Sequence, residues 1–130
     1  MMLDKLTALV VDDDPVSQQV LDGLLRRFGF ETVICSNGKT AFEILTHEHE
    51  VIDIVFTDIV MPDMDGKELL HLMRSNVSLR DIPVVLVSAV LDSKELEELC
   101  VKFDQALTKC LSKPIKPSEV DLILRQFDLR

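Results

Sequence analysis

Residues 53–66 read DIVFTDIVMPDMDG, an apolar run that passes directly into a turn rich in carboxylates. The run from Asp53 to Thr57 is short and lacks regular polar alternation. That pattern is typical of a strand covered on both faces in a parallel sheet. Pro62 and Gly66 are turn formers, so the chain is expected to leave the sheet soon after Asp58. The segment therefore predicts a buried strand that delivers a carboxylate to one edge of a sheet.

Four further short apolar runs occur along the chain, and amphipathic stretches separate them. These runs lie at Leu6 to Val11, Glu31 to Cys35, Pro83 to Ser88 and Ala106 to Leu111. The last run has a mixed composition, which indicates an edge strand or a weaker one. Helical periodicity between the runs predicts five helices. Five strand–helix units predict an α/β fold with a doubly wound, five-stranded parallel sheet, the flavodoxin-like (βα)5 arrangement.

The first amphipathic stretch shows the helical pattern most fully. Its apolar residues fall on one stripe and predict a buried helix face; they are Val16, Val20, Leu21, Leu24, Leu25 and Phe28. Gly29 follows directly and predicts the end of this helix, because glycine readily adopts the left-handed conformation found at helix C-termini.

Length and composition predict a single domain. The chain has 130 residues, of which 47% are hydrophobic, and this is enough for one sizeable core. Because no linker or internal repeat interrupts the pattern, we expect one domain over residues 1–130, with its core at about residues 6–127.

Charge, hydrophobicity and cysteine content limit the expected partners and location of the protein. The 23 acidic and 14 basic residues give a net charge of −9, so the surface should repel nucleic acid. No apolar run approaches the ~18 residues of a membrane span, and we expect no secretory signal at the start of the chain. Three cysteines without a C-x-x-C pair indicate a reduced, intracellular protein. We expect a cytoplasmic location, or a nuclear one in a eukaryote.

Polar residues gather where the predicted strands end. Asp12, Asp13 and Asp14 follow the first strand, Asp58 ends the third, Ser88 ends the fourth, and Lys113 follows the fifth. Sites in such folds lie beyond the carboxyl ends of the strands. Close carboxylates repel one another unless a cation intervenes, and Mg²⁺ prefers oxygen ligands. The pattern predicts a Mg²⁺ site in which a carboxylate can accept a phosphoryl group as an acyl phosphate.

Structural roles compete for some of these carboxylates. An aspartate that follows a strand often caps the next helix, and Asp14 before Pro15 suits that role. Asp63 and Asp65 lie in a Pro- and Gly-containing turn, where aspartate is common for conformational reasons alone. The functional prediction therefore depends on several strand ends together, and no single aspartate carries it.

Four motifs occur in order: Val10 to Asp13, Thr57-Asp58 with Met61 to Gly66, Ser88-Ala89 and Lys113-Pro114. With these motifs the chain resembles the receiver domain of two-component response regulators, in the CheY-like superfamily. The resemblance extends from Leu6 to about Phe127. It implies a signalling module and not an enzyme, with only self-phosphorylation from a phosphohistidine donor and slow autodephosphorylation.

The resemblance also implies roles for the matching residues. Asp58 corresponds to the phosphoacceptor of a His-Asp phosphorelay. Mg²⁺ would be held by Asp12, Asp13, Asp58 and the main-chain carbonyl of Val60. Ser88 corresponds to the switch hydroxyl and Lys113 to its ion partner, with a cis peptide bond expected before Pro114. The implied donor is a histidine kinase or a histidine phosphotransfer domain, and the output is the binding of an unknown downstream protein.

Three features depart from the family pattern. Cys110 stands where an aromatic switch residue is common, three positions before the lysine. The segment from Ser88 to Lys113 is a few residues longer than usual. The glycine-alanine pair that is common before the fifth strand is missing. Lys109 is also a rival for the lysine role by spacing, although no proline follows it. These departures affect the expected readout and leave the acceptor unchanged.

The sequence leaves two kinds of signalling output open, and one motif also resembles a class of phosphatases. We expect no output domain after the last predicted helix, and therefore a stand-alone regulator or a phosphotransfer intermediate. The turn at Asp63 and Asp65 also resembles the D-x-D-G signature of haloacid-dehalogenase-like phosphatases. In that class the first aspartate follows a strand directly, whereas Asp63 follows Met61 and Pro62, so we do not favour this alternative.

Overall fold

The structure is a computed structural model that describes residues 5–103 and 106–130. Strands and helices alternate along these residues. The elements are β1 (Thr7–Val11), α1 (Pro15–Arg27), β2 (Glu31–Cys35), α2 (Gly38–Glu48), a short 3-10 helix (His49–Val51), β3 (Ile54–Asp58), α3 (Gly66–Arg74), β4 (Val84–Ser88), α4 (Ser93–Lys102), β5 (Thr108–Ser112) and α5 (Pro117–Gln126).

All five strands are parallel and form one sheet in the order β2-β1-β3-β4-β5. The predicted doubly wound, flavodoxin-like fold is confirmed, and β5 is an edge strand, as its mixed composition indicated. It begins at Thr108, two residues later than predicted, because Leu107 lies in a turn. The carbonyl of Leu107 accepts hydrogen bonds from Val84 N and Arg74 Nη2.

Helices cover both faces of the sheet, and each face has its own hydrophobic cluster. The predicted stripe on α1 is only partly correct. Leu21, Leu24 and Leu25 are buried, whereas the side chains of Val16 and Val20 are 68% and 52% exposed. At 3.6 residues per turn the six predicted residues span ~180° of the helix, and the two valines lie at one border. The sheet therefore covers a smaller part of the helix circumference than the apolar stripe occupies.

Aspartate caps fix where the helices next to the strand ends begin. Asp14 caps α1, as predicted, by accepting a hydrogen bond from Ser17 N at 3.1 Å. Asp65 caps α3 through Glu68 N at 2.8 Å. Asp92 caps α4 in a capping box with Glu95. The loops between strand and helix are thereby held at one edge of the sheet.

A partly exposed contact between α1 and β2 makes stability depend on pH. The hydrogen bonds that Asp22 accepts from Thr32 Oγ1 and from Arg26 Nε lower the pKa of Asp22 below its ordinary value of 3.8. Such a carboxylate contributes stability at neutral pH that is lost as the pH falls through the lowered pKa. We expect Asp22→Asn to reduce the free energy of unfolding by about 0.5–1 kcal/mol at neutral pH. Urea denaturation should show a smaller reduction near pH ~3; equal losses at both pH values would contradict the assignment.

Candidate functional site

Three carboxylates from two neighbouring strands meet at the carboxyl edge of the sheet. Asp12 and Asp13 follow β1, and Asp58 is the last residue of β3. Because Val11 pairs with Thr57 across these strands, the two acidic segments emerge side by side. One oxygen from each carboxylate lies within 4.8 Å of the others. Asp12 is buried, Asp13 is exposed, and Asp58 is intermediate.

Lys113 brings a positive charge to this cluster from the loop after β5. Its Nζ lies 3.0 Å from Asp12 Oδ2 and 3.3 Å from Asp58 Oδ2. Burial alone lowers the pKa of Lys113, but the hydrogen bond to Asp12 and the charge of Asp58 outweigh it and raise that pKa. The backbone N–H of Lys113 donates to the carbonyl of Ser88 at 2.8 Å and holds the residue in place. The cis peptide bond before Pro114, implied by the resemblance, is present.

The rival lysine lies elsewhere. Lys109 is within β5, pairs with Val85, and lines a cavity together with residues of α4. Of the two lysines, Lys113 is therefore the one that contacts the acidic cluster.

The cluster carries more negative than positive charge. Burial, together with the charge of Asp12, raises the pKa of Asp58 above its ordinary value, while Lys113 opposes this shift. Three carboxylates face one ammonium group, so a further cation would relieve the remaining repulsion. Carboxylate oxygens are the ligands that hard divalent cations prefer. The donor set therefore suits a divalent metal ion.

Ser88 ends β4 on the other side of Asp58. Its side chain is buried, and its Oγ accepts hydrogen bonds from Val90 N and Leu91 N, both at 3.0 Å. A hydroxyl that accepts two hydrogen bonds keeps its own proton for donation. Ser88 thus ties the loop before α4 to the strand end, and its O–H group remains able to donate to a ligand.

Comparison with known proteins identifies the family. The family model for the response regulator receiver domain matches residues 8–125. The chain belongs to this family. It is a receiver domain of the two-component signalling type, in agreement with the resemblance and the fold described above. In the part of the chain that the structure describes, no helix combines the length and the hydrophobicity needed to span a membrane.

Curated relatives include both short and long proteins. The two-component response regulator ORR5 of Oryza sativa subsp. japonica is 36% identical over 112 residues, covering 86% of this chain and 81% of the relative. The 3',5'-cyclic-nucleotide phosphodiesterase regA of Dictyostelium discoideum is 30% identical over 125 residues, covering 95% of this chain. This chain spans only 16% of that phosphodiesterase. The receiver domain thus makes up most of some relatives and a small part of others.

Solved structures show the same fold. A Chloroflexus aurantiacus protein described as a response regulator has a TM-score of 0.83 at 23% identity, covering 96% of this chain and 99% of the other. A Francisella response regulator receiver domain has a TM-score of 0.77 at 27% identity, covering 96% of each chain.

The aspartates of the phosphatase-like signature have structural roles in this receiver domain. Asp63 has a φ of 65°, the left-handed conformation of a turn residue. Asp65 uses its carboxylate to cap α3. Neither is at the end of a strand, which is where Asp58 lies. The haloacid-dehalogenase-like alternative gains no support from this arrangement.

Two contacts at the site were not anticipated from the sequence. Lys113 Nζ also lies 3.3 Å from Ser17 Oγ, in the first turn of α1. A Cβ atom added to Gly66 would lie 2.3 Å from the Asp58 carbonyl oxygen, so the start of α3 packs directly on the backbone of Asp58. Gly66 stood within the turn motif, but only its turn-forming role was apparent. Ser17 carried no sequence signal.

Proposed function

We propose that this receiver domain accepts a phosphoryl group from a phosphohistidine onto Asp58, as one step of a two-component or multistep His-Asp phosphorelay. The donor would be a histidine kinase or a histidine phosphotransfer domain. The main observation in support is the position of Lys113 Nζ, 3.0 Å from Asp12 Oδ2 and 3.3 Å from Asp58 Oδ2. Lys113 thereby supplies positive charge beside the carboxylate of Asp58. The side chain of Asp58 is 13% exposed, so a donor can reach it.

Each residue of the site has a distinct role in the proposed phosphoryl transfer. An Asp58 oxygen attacks phosphorus, the bond to the donor imidazole breaks, and an acyl phosphate forms. Lys113 neutralises charge on the phosphoryl oxygens, and the Ser88 hydroxyl donates to one of them. Asp12, Asp13, Asp58 and the Val60 carbonyl would hold Mg²⁺. When bound, Mg²⁺ would offset the charge of the carboxylates and of the phosphoryl group.

The switch would pass from Ser88 to the loop before α4. The backbone N–H groups of Val90 and Leu91 donate to the Ser88 oxygen. A hydroxyl drawn towards a phosphoryl group would change these two hydrogen bonds and so alter a surface that a downstream partner binds. We assign this behaviour to one receiver domain over residues 1–130, with its core at about 6–127. Phosphoryl transfer back to a histidine domain would favour an intermediate, and phosphorylation-dependent capture of a partner would favour a regulator.

Chemical trapping tests the assignment of the acceptor. We expect incubation with Mg²⁺ and a small phosphodonor such as acetyl phosphate to give one acyl phosphate per chain. Borohydride reduction of that group followed by peptide mapping should locate the reduced residue at position 58. Omission of Mg²⁺ should suppress the reaction. Reduction at Asp63 or Asp65, or no incorporation with intact folding, would overturn the proposal.

Apolar side chains beside the site predict a long-lived acyl phosphate. Val60 and Val90 are 60% and 69% exposed and border a shallow groove of about 200 Å³. Neither can hydrogen-bond a water molecule for attack on phosphorus, so self-hydrolysis should take minutes or longer. We expect Val60→Gln to speed hydrolysis by about tenfold, because an amide can orient water. Val77→Gln is a matched control, since Val77 is also exposed and lies outside this groove. Wild-type decay within seconds, followed by direct acyl-phosphate assay, would contradict the prediction.

A further inference from the structure

Two thiols away from the acidic cluster line one cavity between α4 and β5. Cys100 is buried on α4, and Cys110 is partly buried on β5. The cavity has a volume of about 450 Å³, is open to solvent, and is bordered by Glu97, Lys109 and Gln126 as well. Cys100 belongs to the hydrophobic cluster of one sheet face, and Cys110 packs against that cluster. A pair of free thiols therefore faces one accessible space.

The two thiols interact and are chemically unequal. A side-chain hydrogen bond with Cys100 lowers the pKa of Cys110, although burial opposes this effect. The same interaction, together with burial, raises the pKa of Cys100. Of the charged neighbours, Lys109 favours the thiolate of Cys110 and Glu97 disfavours it. Cys110 is also the more exposed of the two thiols, so peroxide reaches it first. Because the thiolate is the nucleophile, we assign Cys110 as the reactive member of the pair.

We propose that Cys110 and Cys100 form a peroxide-sensitive dithiol site, in which Cys110 is oxidised first and Cys100 then closes a disulfide between β5 and α4. In the first step the Cys110 thiolate attacks hydrogen peroxide. The O–O bond breaks, a sulfenic acid forms, and hydroxide leaves and takes up a proton. In the second step the Cys100 sulfur attacks the Cys110 sulfur and hydroxide leaves with the Cys100 proton as water. Two thiols lose two electrons in total, and one peroxide becomes two waters.

The bond would tie a helix to the strand that leads to the acidic cluster. α4 packs on β5, and Lys113 follows Cys110 by three residues. A disulfide would hold α4 covalently against β5, an edge strand that pairs with β4 on one side. We therefore expect slower amide hydrogen exchange in α4 after oxidation. This chemistry needs neither Asp58 nor a metal ion, so it is independent of the proposed phosphoryl transfer.

Mass spectrometry of the full chain tests the proposal. The reduced protein should take up three maleimide groups when unfolded, one for each cysteine. After brief treatment with hydrogen peroxide it should take up one, and the chain should be two hydrogen atoms lighter. Trypsin cleavage after Lys102 and Lys109 places the two cysteines on different peptides. Recovery of those peptides as one disulfide-linked pair would identify the bond.

Single cysteine variants separate the roles. Cys110→Ser should consume peroxide at least ~tenfold more slowly, because the activated thiolate is gone. Cys100→Ser should leave a Cys110 sulfenic acid that a cyclic 1,3-diketone probe labels, and Cys100→Ala serves if the serine variant folds poorly. Cys35→Ser is the matched control, since burial raises the pKa of Cys35 to about 11, and it should form the disulfide at the wild-type rate. A linkage that involves Cys35, disulfides only between chains, or equal peroxide consumption by Cys110→Ser would overturn the proposal.

Discussion

Asp58→Asn is expected to abolish phosphoryl incorporation from a small phosphodonor in the presence of Mg²⁺. An amide oxygen is a far weaker nucleophile than a carboxylate, and it also weakens the proposed cation site. We expect incorporation below the detection limit, a loss of at least ~10³-fold, because the variant removes the attacking group itself. Phosphate-affinity gel electrophoresis and intact mass after a fixed incubation would measure it.

Asp63→Asn is the matched control for that experiment. Both changes replace an aspartate carboxylate by an amide, and asparagine tolerates the left-handed φ of 65° at position 63. The control should incorporate phosphoryl groups at nearly the wild-type level. Equal labelling of the Asp58→Asn variant and the wild type would remove Asp58 as the acceptor. Loss of labelling only in Asp63→Asn would instead revive the phosphatase-like alternative.

Unfolding does not account for the loss expected of Asp58→Asn. Burial and the charge of Asp12 raise the pKa of Asp58 above 3.8, so ionisation of Asp58 costs folding free energy. That cost is present above the raised pKa and disappears below the ordinary value, where both states are protonated. In the presence of a chelator we expect Asp58→Asn to raise the free energy of unfolding by about 1 kcal/mol at neutral pH. The gain should vanish near pH ~3. A lower melting temperature at neutral pH would contradict this.

The sheet and the convergence of charged residues were predictable because they depend on local patterns. The run from Pro83 to Ser88 is short, apolar and without strict polar alternation, which predicts a strand covered on both faces. The structure confirms it as β4, which is buried throughout. Once five strands are parallel, their carboxyl ends share one edge. Asp12, Asp58 and Lys113 then meet regardless of their distance in sequence.

Features that depend on relative packing were not predictable in the same way. The exposure of Val16 and Val20 follows from the rotation of α1 about its own axis, which the stripe alone does not specify. The Cys100–Cys110 contact depends on how α4 lies over β5 across the lengthened segment before Lys113. Sequence showed Cys110 at an unusual position for the family, but only the fold places a second thiol beside it.

Gly66→Ala is expected to destabilise the fold and to impair the site together. An added Cβ would lie 2.3 Å from the Asp58 carbonyl oxygen and 3.0 Å from Ile59 Cα. Both atoms belong to the backbone, so relief requires the start of α3 to move away from the end of β3. We expect a loss of about 2–3 kcal/mol in the free energy of unfolding, which is typical of overpacking. Phosphoryl incorporation at Asp58, measured where the variant is still folded, should fall several-fold.

Gly23→Ala provides the matched control, because the same methyl group is added at a glycine with nothing within 4 Å of its Cβ position. Gly23 lies inside α1, where alanine is the better helix former. This variant should gain about 0.5–1 kcal/mol and label normally. In urea denaturation the two variants should therefore differ from the wild type in opposite directions, whereas phosphodonor labelling should fall only in Gly66→Ala. If Gly66→Ala were as stable as Gly23→Ala, the close approach of α3 to Asp58 would not constrain the site. The acceptor would then owe its position to β3 and Lys113 alone.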